Sequence, residues 1–522
     1  MVVQGPPHGG RANPGDGPMP GTNHHRPAAP WRARLRSAAA IAAVVLAVAS
    51  CTGSSDDASS EAGSTTTSAA PSGPATAPVA AADGWFVDGE GRVVQLRGVN
   101  EVFKAAPFYP AADGFGPDDA QLLRELGFNT VRLGVNMEGL MPEPGKVSTE
   151  YLDGIAQSVD QLQEEGLWVV MDFHQDGFSP KYNGNGFPDW MAIDDGLENP
   201  PDAVFPLYYV QNPAMQRAWE HFWADDEGPD GVGVQTHFHE AVRATAERFA
   251  SAPNVIGYEA INEPFPGADY QACLTAEGCG ELEAERITPF AERFEEAVRS
   301  ESDTQLVWVE PFVLFNFGQG PTTLPGAEGD RLLAAHTYAL SPEGEEANVD
   351  YLDATRDRDD KPVLITEFGA SMDPALLDRH VELYDEAMVP WLFWAYNENI
   401  VHDREEPASL DTVVDAEGLR SLVRPYPSAV AGVPTGWSFD ADAARFELSY
   451  STGRLGGGEF AEGTETVIEM PPFAFPDGYR VEVEGGEVTS DPCAPQLTIA
   501  ADAGVDEVQV TAAADGADCT PG

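Results

Sequence analysis

The stretches NTVRLGV at 129–135 and WVVMDFH at 168–174 are short β-branched and aromatic runs, and between them YLDGIAQSVDQLQEE at 151–165 carries apolar residues at helical spacing. Strand, amphipathic helix and strand make one βα unit, and repetition of that unit marks a parallel sheet. The alternation continues in both directions. Strands are expected at 93–100, 129–135, 168–174, 255–262, 305–310, 332–338, 362–368 and 391–397, with amphipathic helices at 118–126, 151–165, 237–250, 288–300 and 374–388. Eight strands with intervening helices fit an α/β fold of the (β/α)8, or TIM-barrel, kind. An open doubly wound sheet fits less well, because no Gly-rich phosphate turn follows the first strand. The barrel is assigned to residues 83–431. The GVPTG stretch at 432–436 breaks the pattern, and alternating runs at 445–449, 466–470, 479–483 and 508–510 read as a small C-terminal all-β sandwich over 432–522. Packing against the barrel is its expected role, with carbohydrate or surface binding as the alternative.

Ahead of the barrel, Arg32, Arg34 and Arg36 precede an apolar run at 38–49 that stops at Val48-Ala49-Ser50-Cys51. A basic region, a short apolar core and small residues read as an export signal over 1–51, and the core is too short to span a bilayer as a stable helix. The ending resembles a bacterial lipobox, which implies cleavage before Cys51 and a lipid on its sulfur. Residues 52–82 are rich in Ser, Thr, Ala and Pro and suit a tether. The five cysteines close arithmetically if Cys51 is lipidated and the others pair locally as Cys273 with Cys279 and Cys493 with Cys519, chemistry that export permits. The expectation is an exported, monomeric protein, either held at the cell-surface membrane by a lipid anchor or, if the signal peptide is an ordinary one and Cys51 incidental, secreted. A net charge of −57 repels phosphate backbones, which argues against a nucleic-acid partner, and no Cys/His spacing suits zinc.

Polar groups recur at the expected strand ends: Arg132 on the second, His174 and Asp176 at the third, Asn262 and Glu263 at the fourth. Glu310 follows at the fifth, His336 and Tyr338 at the sixth, Glu367 at the seventh, and Trp394 with Asn397 at the eighth. In a barrel these ends open on one face, and gathering ionisable groups there is costly unless they serve a site. Glycoside hydrolysis needs two carboxyl groups across the scissile bond, and Ile261-Asn262-Glu263-Pro264 and Ile365-Thr366-Glu367-Phe368-Gly369 supply a pair. The segment 175–215, rich in Gly, Asp, Asn, Pro and aromatics, reads as a long functional loop.

Asn-Glu-Pro closing strand four, a Glu closing strand seven, Val131-Arg132-Leu133, His336-Thr337-Tyr338 and the late Trp394 together resemble glycoside hydrolase family 5, over roughly residues 84–430. The resemblance implies that Glu263 is the acid/base and Glu367 the nucleophile of a retaining mechanism that needs no cofactor or metal. Arg132 and Tyr338 would keep Glu367 ionised, and Asn262 would bind the sugar 2-OH. His174 and His336 would shape the adjoining subsite, with Trp394 as an apolar platform and Asn397 beside it. Glu310 is placed behind the reacting groups. Asn100-Glu101-Val102-Phe103-Lys104, Met171 through Asp176, and Phe393-Trp394-Ala395-Tyr396 resemble the endoglycoceramidases within the family, where Lys104 and Asp176 match positions that hold sugar hydroxyls. That likeness implies a glycolipid substrate, with Phe178, Phe187, Trp190, Met191, Phe205, Tyr208, Tyr209, Phe312, Phe315 and Phe317 either lining a groove for lipid tails or packing as loop core. A family 5 hydrolase of a cellulose or mannan oligosaccharide or a simple lipid glucoside is the second reading. An inactive carbohydrate-binding lipoprotein is the third.

Overall fold

In the computed structural model of the chain, which describes residues 79–517 and 519 except 204, 276, 277, 319–328, 403 and 405, the helix Thr149–Glu164 starts where the Ser148 hydroxyl accepts from the Tyr151 amide at 3.2 Å. That cap satisfies one of the donors a helix start leaves open. Tyr151, Leu152, Ile155, Val159 and Leu162 follow at three- and four-residue spacing and are buried. Gly166, at φ 72°, ends the helix in the left-handed region that favours glycine, and the chain turns into the strand Trp168–His174.

Eight parallel strands close a barrel: Arg97–Glu101, Thr130–Asn136, Trp168–His174, Val255–Glu259, Leu306–Val309, Leu332–Thr337, Val363–Phe368 and Trp391–Phe393, counted below as strands one to eight. Strand eight returns to strand one with Trp391 opposite Arg97, and strands two and three run in register from Thr130 opposite Trp168 to Asn136 opposite His174. Gly98 permits the approach of strands one and two, since a Cβ there would stand 1.6 Å from the Thr130 carbonyl oxygen. Successive strand side chains alternate between faces. Val170, Ile256, Trp308, Leu332, Ala334, Leu364 and Leu392 pack as one apolar cluster closed below by Phe86 and Val79. Two residues further along the same faces come Asp172, Glu310, His336 and Trp394, with His174 two beyond Asp172. The apolar layer thus gives way to a charged one at the C-terminal mouth, where barrel enzymes keep their chemistry.

The stretch expected as one strand at 93–100 is two. Asn129 accepts from the Arg97 amide at 2.9 Å and donates to the Gln95 carbonyl at 2.8 Å, so its side chain takes up backbone groups where a strand ladder would have run. Val93–Val94 instead joins a seven-stranded sheet in the order Ala80–Ala82, Trp85–Val87, Val93–Val94, Tyr426–Val430, Thr466–Glu469, Gln496–Ala501 and Gly486–Val488. A four-stranded sheet of Val433–Asp440, Arg445–Ser451, Glu507–Ala513 and Arg480–Glu484 packs over it through Trp437, Phe446, Leu448, Ile468, Leu497 and Val510. The sandwich therefore draws strands from both sides of the 431/432 boundary. Arg97, ion-paired to Asp385 within the barrel, meets the sandwich by lying 4.4 Å from the Tyr426 ring centre and 6.0 Å from that of Trp437, while the Tyr426 hydroxyl donates to the Gly127 carbonyl at 2.9 Å. Cys273 is bonded to Cys279 and Cys493 to Cys519. Cys51, the export signal at 1–51 and nearly all of the tether at 52–82 lie outside the described residues.

Candidate active site

Arg132, with no exposed side-chain surface, is the hub of the mouth. Its Nε donates to Glu259 at 2.7 Å, Nη1 to Asn100 at 2.9 Å and Glu367 at 2.6 Å, and Nη2 to Asn262 at 2.9 Å and Glu310 at 3.5 Å. Asp172 adds an ion pair to Nη2 at 3.0 Å. A planar fork with five donors suits this ring of acceptors, as a lysine point charge would not.

Glu367 ends strand seven with one oxygen on Arg132 and the other accepting from the Tyr338 hydroxyl at 3.1 Å. Burial pushes its carboxyl up, and His336 and Arg132 oppose that rise. Across the mouth, Glu263 follows strand four at φ 44°, a left-handed backbone unusual for a side-chain-bearing residue, and its amide donates to Glu310 at 3.3 Å. One Glu263 oxygen accepts from Asn316 Nδ2 at 2.8 Å and lies 3.0 Å from His336 Nδ1. Burial, reinforced by the Asp176 charge, raises the Glu263 carboxyl to about 7. Burial lowers His336 to about 4, so the ring beside both glutamates is neutral at neutral pH. An oxygen of Glu263 and one of Glu367 lie within 4.8 Å of each other.

A second chain of contacts crosses the mouth from strand three. Asp172 is 2.7 Å from His174 Nδ1, His174 Nε2 is 3.3 Å from Asp176, and Asp176 is 2.8 Å from Lys104 Nζ. Burial would lower the His174 ring, but Asp172 and Asp176 on either side raise it to about 9. Burial would likewise raise Asp176, but Lys104 and His174 hold it well below the usual carboxylate range. Trp394 stacks on His174 at 5.3 Å and 14°, carries Lys104 Nζ 4.3 Å from its ring centre, and donates through Nε1 to Glu398 at 2.9 Å.

Asn262 spends its Oδ1 on Arg132 and one Nδ2 hydrogen on the Gln175 carbonyl at 2.8 Å, leaving the other hydrogen for a ligand. Asn397 gives its amide to the Val102 carbonyl at 2.9 Å, tying the turn after strand eight to the loop after strand one. The suggested aromatic groove resolves mostly into core. Phe178, Phe187, Met191, Tyr208, Tyr209, Phe312 and Phe315 are buried in the barrel's main cluster, with Phe178 on Phe187 at 4.6 Å, because a long loop must bury apolar side chains of its own to hold a shape. Trp190 and Phe317 are partly buried against that cluster, and Phe205 is 59% exposed.

Asp172, Glu259, Asn316 and Glu398 belong to the site without having been singled out from the sequence. Asp172 and Glu259 carried a signal, a charge inside an otherwise apolar strand run, whereas Asn316 sits in the apolar segment Val313–Phe317 with nothing to mark it. Glu263, His336 and Glu367 could each offer an atom to a cation, as could Glu259, Glu310 and His336. The Arg132 guanidinium already occupies the position of counter-charge among Glu259, Glu310 and Glu367.

The family model described as cellulase (glycosyl hydrolase family 5) matches residues 87–400, and the glycoside hydrolase family 5 C-terminal domain matches residues 424–511. The chain belongs to glycoside hydrolase family 5. This family 5 hydrolase is 34% identical over 445 residues to Endoglycoceramidase I of Rhodococcus hoagii (strain 103S), covering 81% of this chain and 85% of that one. It is 26% identical over 429 residues to an endoglycoceramidase of Hydra vulgaris, covering 76% and 81%. Among solved structures, Endo-glycoceramidase II from Rhodococcus sp. as a lactosyl-enzyme intermediate matches with a TM-score of 0.64 at 27% identity, over 82% of this chain and 98% of that one.

Proposed function

We propose that this glycoside hydrolase is a retaining endo-β-glycosidase that cleaves the bond between the glycan and the ceramide of glycosphingolipids, with Glu263 as acid/base and Glu367 as nucleophile. The observation that carries the reading is the pair itself. Oxygens within 4.8 Å suit direct attack by one carboxylate, since an inverting pair stands about 6.5–9.5 Å apart to admit a water. The partners divide the roles. Glu367 takes a charge-assisted bond from Arg132 and one from Tyr338, which favour its ionised form, while Glu263 accepts from the neutral Asn316 amide and sits at about 7, poised to give and take a proton.

In the first displacement Glu367 attacks the anomeric carbon as Glu263 protonates the departing glycosidic oxygen, which leaves as the ceramide hydroxyl. In the second, Glu263 takes a proton from water, the hydroxide adds to the anomeric carbon, and the bond to Glu367 breaks. Asn262 offers its remaining hydrogen to the sugar 2-OH, and Lys104, Asp176, His174 and Trp394 hold the ring. Asn397 braces the loop beside Lys104. Support for a lipid aglycone comes from the Rhodococcus and Hydra relatives and from apolar side chains exposed on loops after strands three, four, six and eight: Phe205, Leu274, Leu340, Leu410 and Val414. Export and anchoring through Cys51 complete the reading, resting on the N-terminal sequence alone.

The test is incubation with defined glycosphingolipids beside cello- and manno-oligosaccharides. A whole glycan plus ceramide is the expected product. Stepwise release of single sugars from the non-reducing end, or cleavage confined to the oligosaccharides, overturns the endo-glycolipid reading. Azide rescue of Glu367→Gly with inversion of the product confirms the nucleophile, and wild-type rates in that variant would remove it from the role.

A further inference from the structure

Glu310 has no part in the two displacements, yet it is buried against both halves of the machinery. Four carboxylates, Asp172, Glu259, Glu310 and Glu367, surround the single guanidinium of Arg132 at 3.0, 2.7, 3.5 and 2.6 Å, all of them buried. Asp172 is also paired to the charged His174 at 2.7 Å, which still leaves one guanidinium shared among three buried carboxyl groups, and its contact to Glu310 is the longest. Glu259 receives Arg132 Nε and the Thr366 hydroxyl at 3.0 Å, donors that suit an ionised carboxylate. An oxygen of Glu310 and one of Glu259 lie within 4.8 Å of each other, carboxyl groups near enough in a buried place that one shared proton is favoured over two charges. The neighbouring imidazole points the same way. His336 Nδ1 faces Glu263 at 3.0 Å and Glu367 at 3.4 Å, so the neutral ring carries its hydrogen there. Its bare Nε2 then stands 3.3 Å from Glu310 Oε2, a contact that a full negative charge on Glu310 would make more repulsive than the carbonyl oxygen of a neutral acid does.

Resting on the assignment of Glu263 as acid/base, we propose that Glu310 is a positioning residue that keeps its proton throughout turnover, donating to Glu259 while its other oxygen accepts the Glu263 amide. Two consequences follow for chemistry at a distance of one residue. The left-handed turn that aims Glu263 across the mouth is held by the Glu263 amide bond to Glu310. The Arg132 charge, undiluted by a further anion, remains on Glu367, which must leave as a carboxylate in the second displacement. The charged and titratable groups facing Glu310 are Arg132 from strand two, Glu259 at the end of strand four and Glu263 after it, and His336 from strand six, with Asp172 and Glu367 reaching it only through the shared guanidinium. Burial and the Glu259 charge both raise its carboxyl.

The experiment compares Glu310→Gln, Glu310→Ala and wild type by the pH dependence of kcat/KM on a soluble β-glycoside with a poor leaving group. A glutamine can donate to Glu259 and accept the Glu263 amide, so Glu310→Gln is expected to keep kcat within a few-fold and to leave the basic limb in place. Glu310→Ala is expected to lower kcat at least tenfold with KM little changed. If Glu310 were ionised, Glu310→Gln would delete an anion beside Glu263 and move the basic limb to lower pH; that shift overturns the proposal. Glu263→Ala, run in the same series, should abolish the basic limb, and its survival would instead sink the acid/base assignment. Infrared spectra of the wild-type protein supply a reading independent of the variants. A carboxylic C=O band persisting well above the titration of Glu263 is expected, and its absence overturns the inference.

Discussion

Replacing Arg132 with lysine keeps the charge and removes the fork. Six side-chain acceptors lie within 3.5 Å of the guanidinium, five of them hydrogen-bonded to it, on Asn100, Glu259, Asn262, Glu310 and Glu367, with Asp172 as an ion pair, and an ammonium has three hydrogens. At least two buried acceptors are then orphaned, at about 1–3 kcal/mol each, so Arg132→Lys should cost about 2–6 kcal/mol of folding stability. The same change weakens the contact that favours the Glu367 carboxylate. The attacking group must be ionised, and since lysine keeps the charge while losing the directed bond at 2.6 Å, the acidic limb of kcat/KM should move to higher pH by under about one pH unit. Urea unfolding followed by tryptophan fluorescence measures the first effect, and the pH profile on a soluble β-glycoside measures the second. A variant with an unchanged urea midpoint and an unmoved acidic limb would show that the fork is not used as described. Loss of stability without movement of the limb would confine Arg132 to holding the mouth together.

Removing the amide of Asn316 by Asn316→Ala takes away a hydrogen bond that favours ionised Glu263, so its titration should rise above about 7 and carry the basic limb up by less than about one unit; an unmoved limb would place Asn316 outside the proton transfer. His174 is raised from 6.5 to about 9, so the stability gained from its charged form is complete below pH 6.5 and is lost as pH rises through about 9. Thermal melts should therefore fall across that window, and His174→Asn should flatten the decline; an equal slope in both proteins would refute the buried imidazolium. Phe205 is 59% exposed on the loop after strand three, and Phe205→Ser is expected to slow release of glycan from glycolipid in vesicles several-fold while leaving a soluble glycoside untouched. Equal effects on both substrates would deny that tip a part in meeting lipid.

The barrel was legible because its helices and strands differ in period and because polar residues stop the apolar runs at corresponding ends. Where side chains intercede, that pattern fails. Asn129 divides the stretch at 93–100 by bonding the backbone on either side of Leu96, an event between segments distant in sequence. The helix Pro342–Asp359 was not expected. Its buried face includes Glu345, Asn348 and Thr355 beside Val349 and Leu352, and Glu345 accepts from the Tyr384 hydroxyl at 2.7 Å on the helix Pro374–Ala387 and from the Ala339 amide at 3.3 Å. Polar residues that are buried against partners elsewhere leave no periodic trace. The site divides on the same line. Glu263, Glu367 and Arg132 stand at strand ends within recognisable motifs, whereas Asn316 becomes part of the site only because the turn after strand five carries its amide to Glu263. The aromatic loop left two readings open, since a sequence rich in Phe and Tyr does not say whether the rings face a ligand or one another.

The sheet that joins Val93–Val94 to Tyr426–Val430 bears on how the polypeptide reaches its native state. The pairing is completed only when both ends of the catalytic barrel are present, so the first strands made on a ribosome wait for nearly the last. Sheet partners so far apart in sequence impose a large loop-closure entropy and slow acquisition of the native topology. Deleting the C-terminal sandwich would strip Val93–Val94 of a neighbour and leave a hydrogen-bonding edge at the base of the barrel, the kind of surface that recruits other chains. Shortened versions of the catalytic part should accordingly be aggregation-prone, and the intact protein should melt as one cooperative unit.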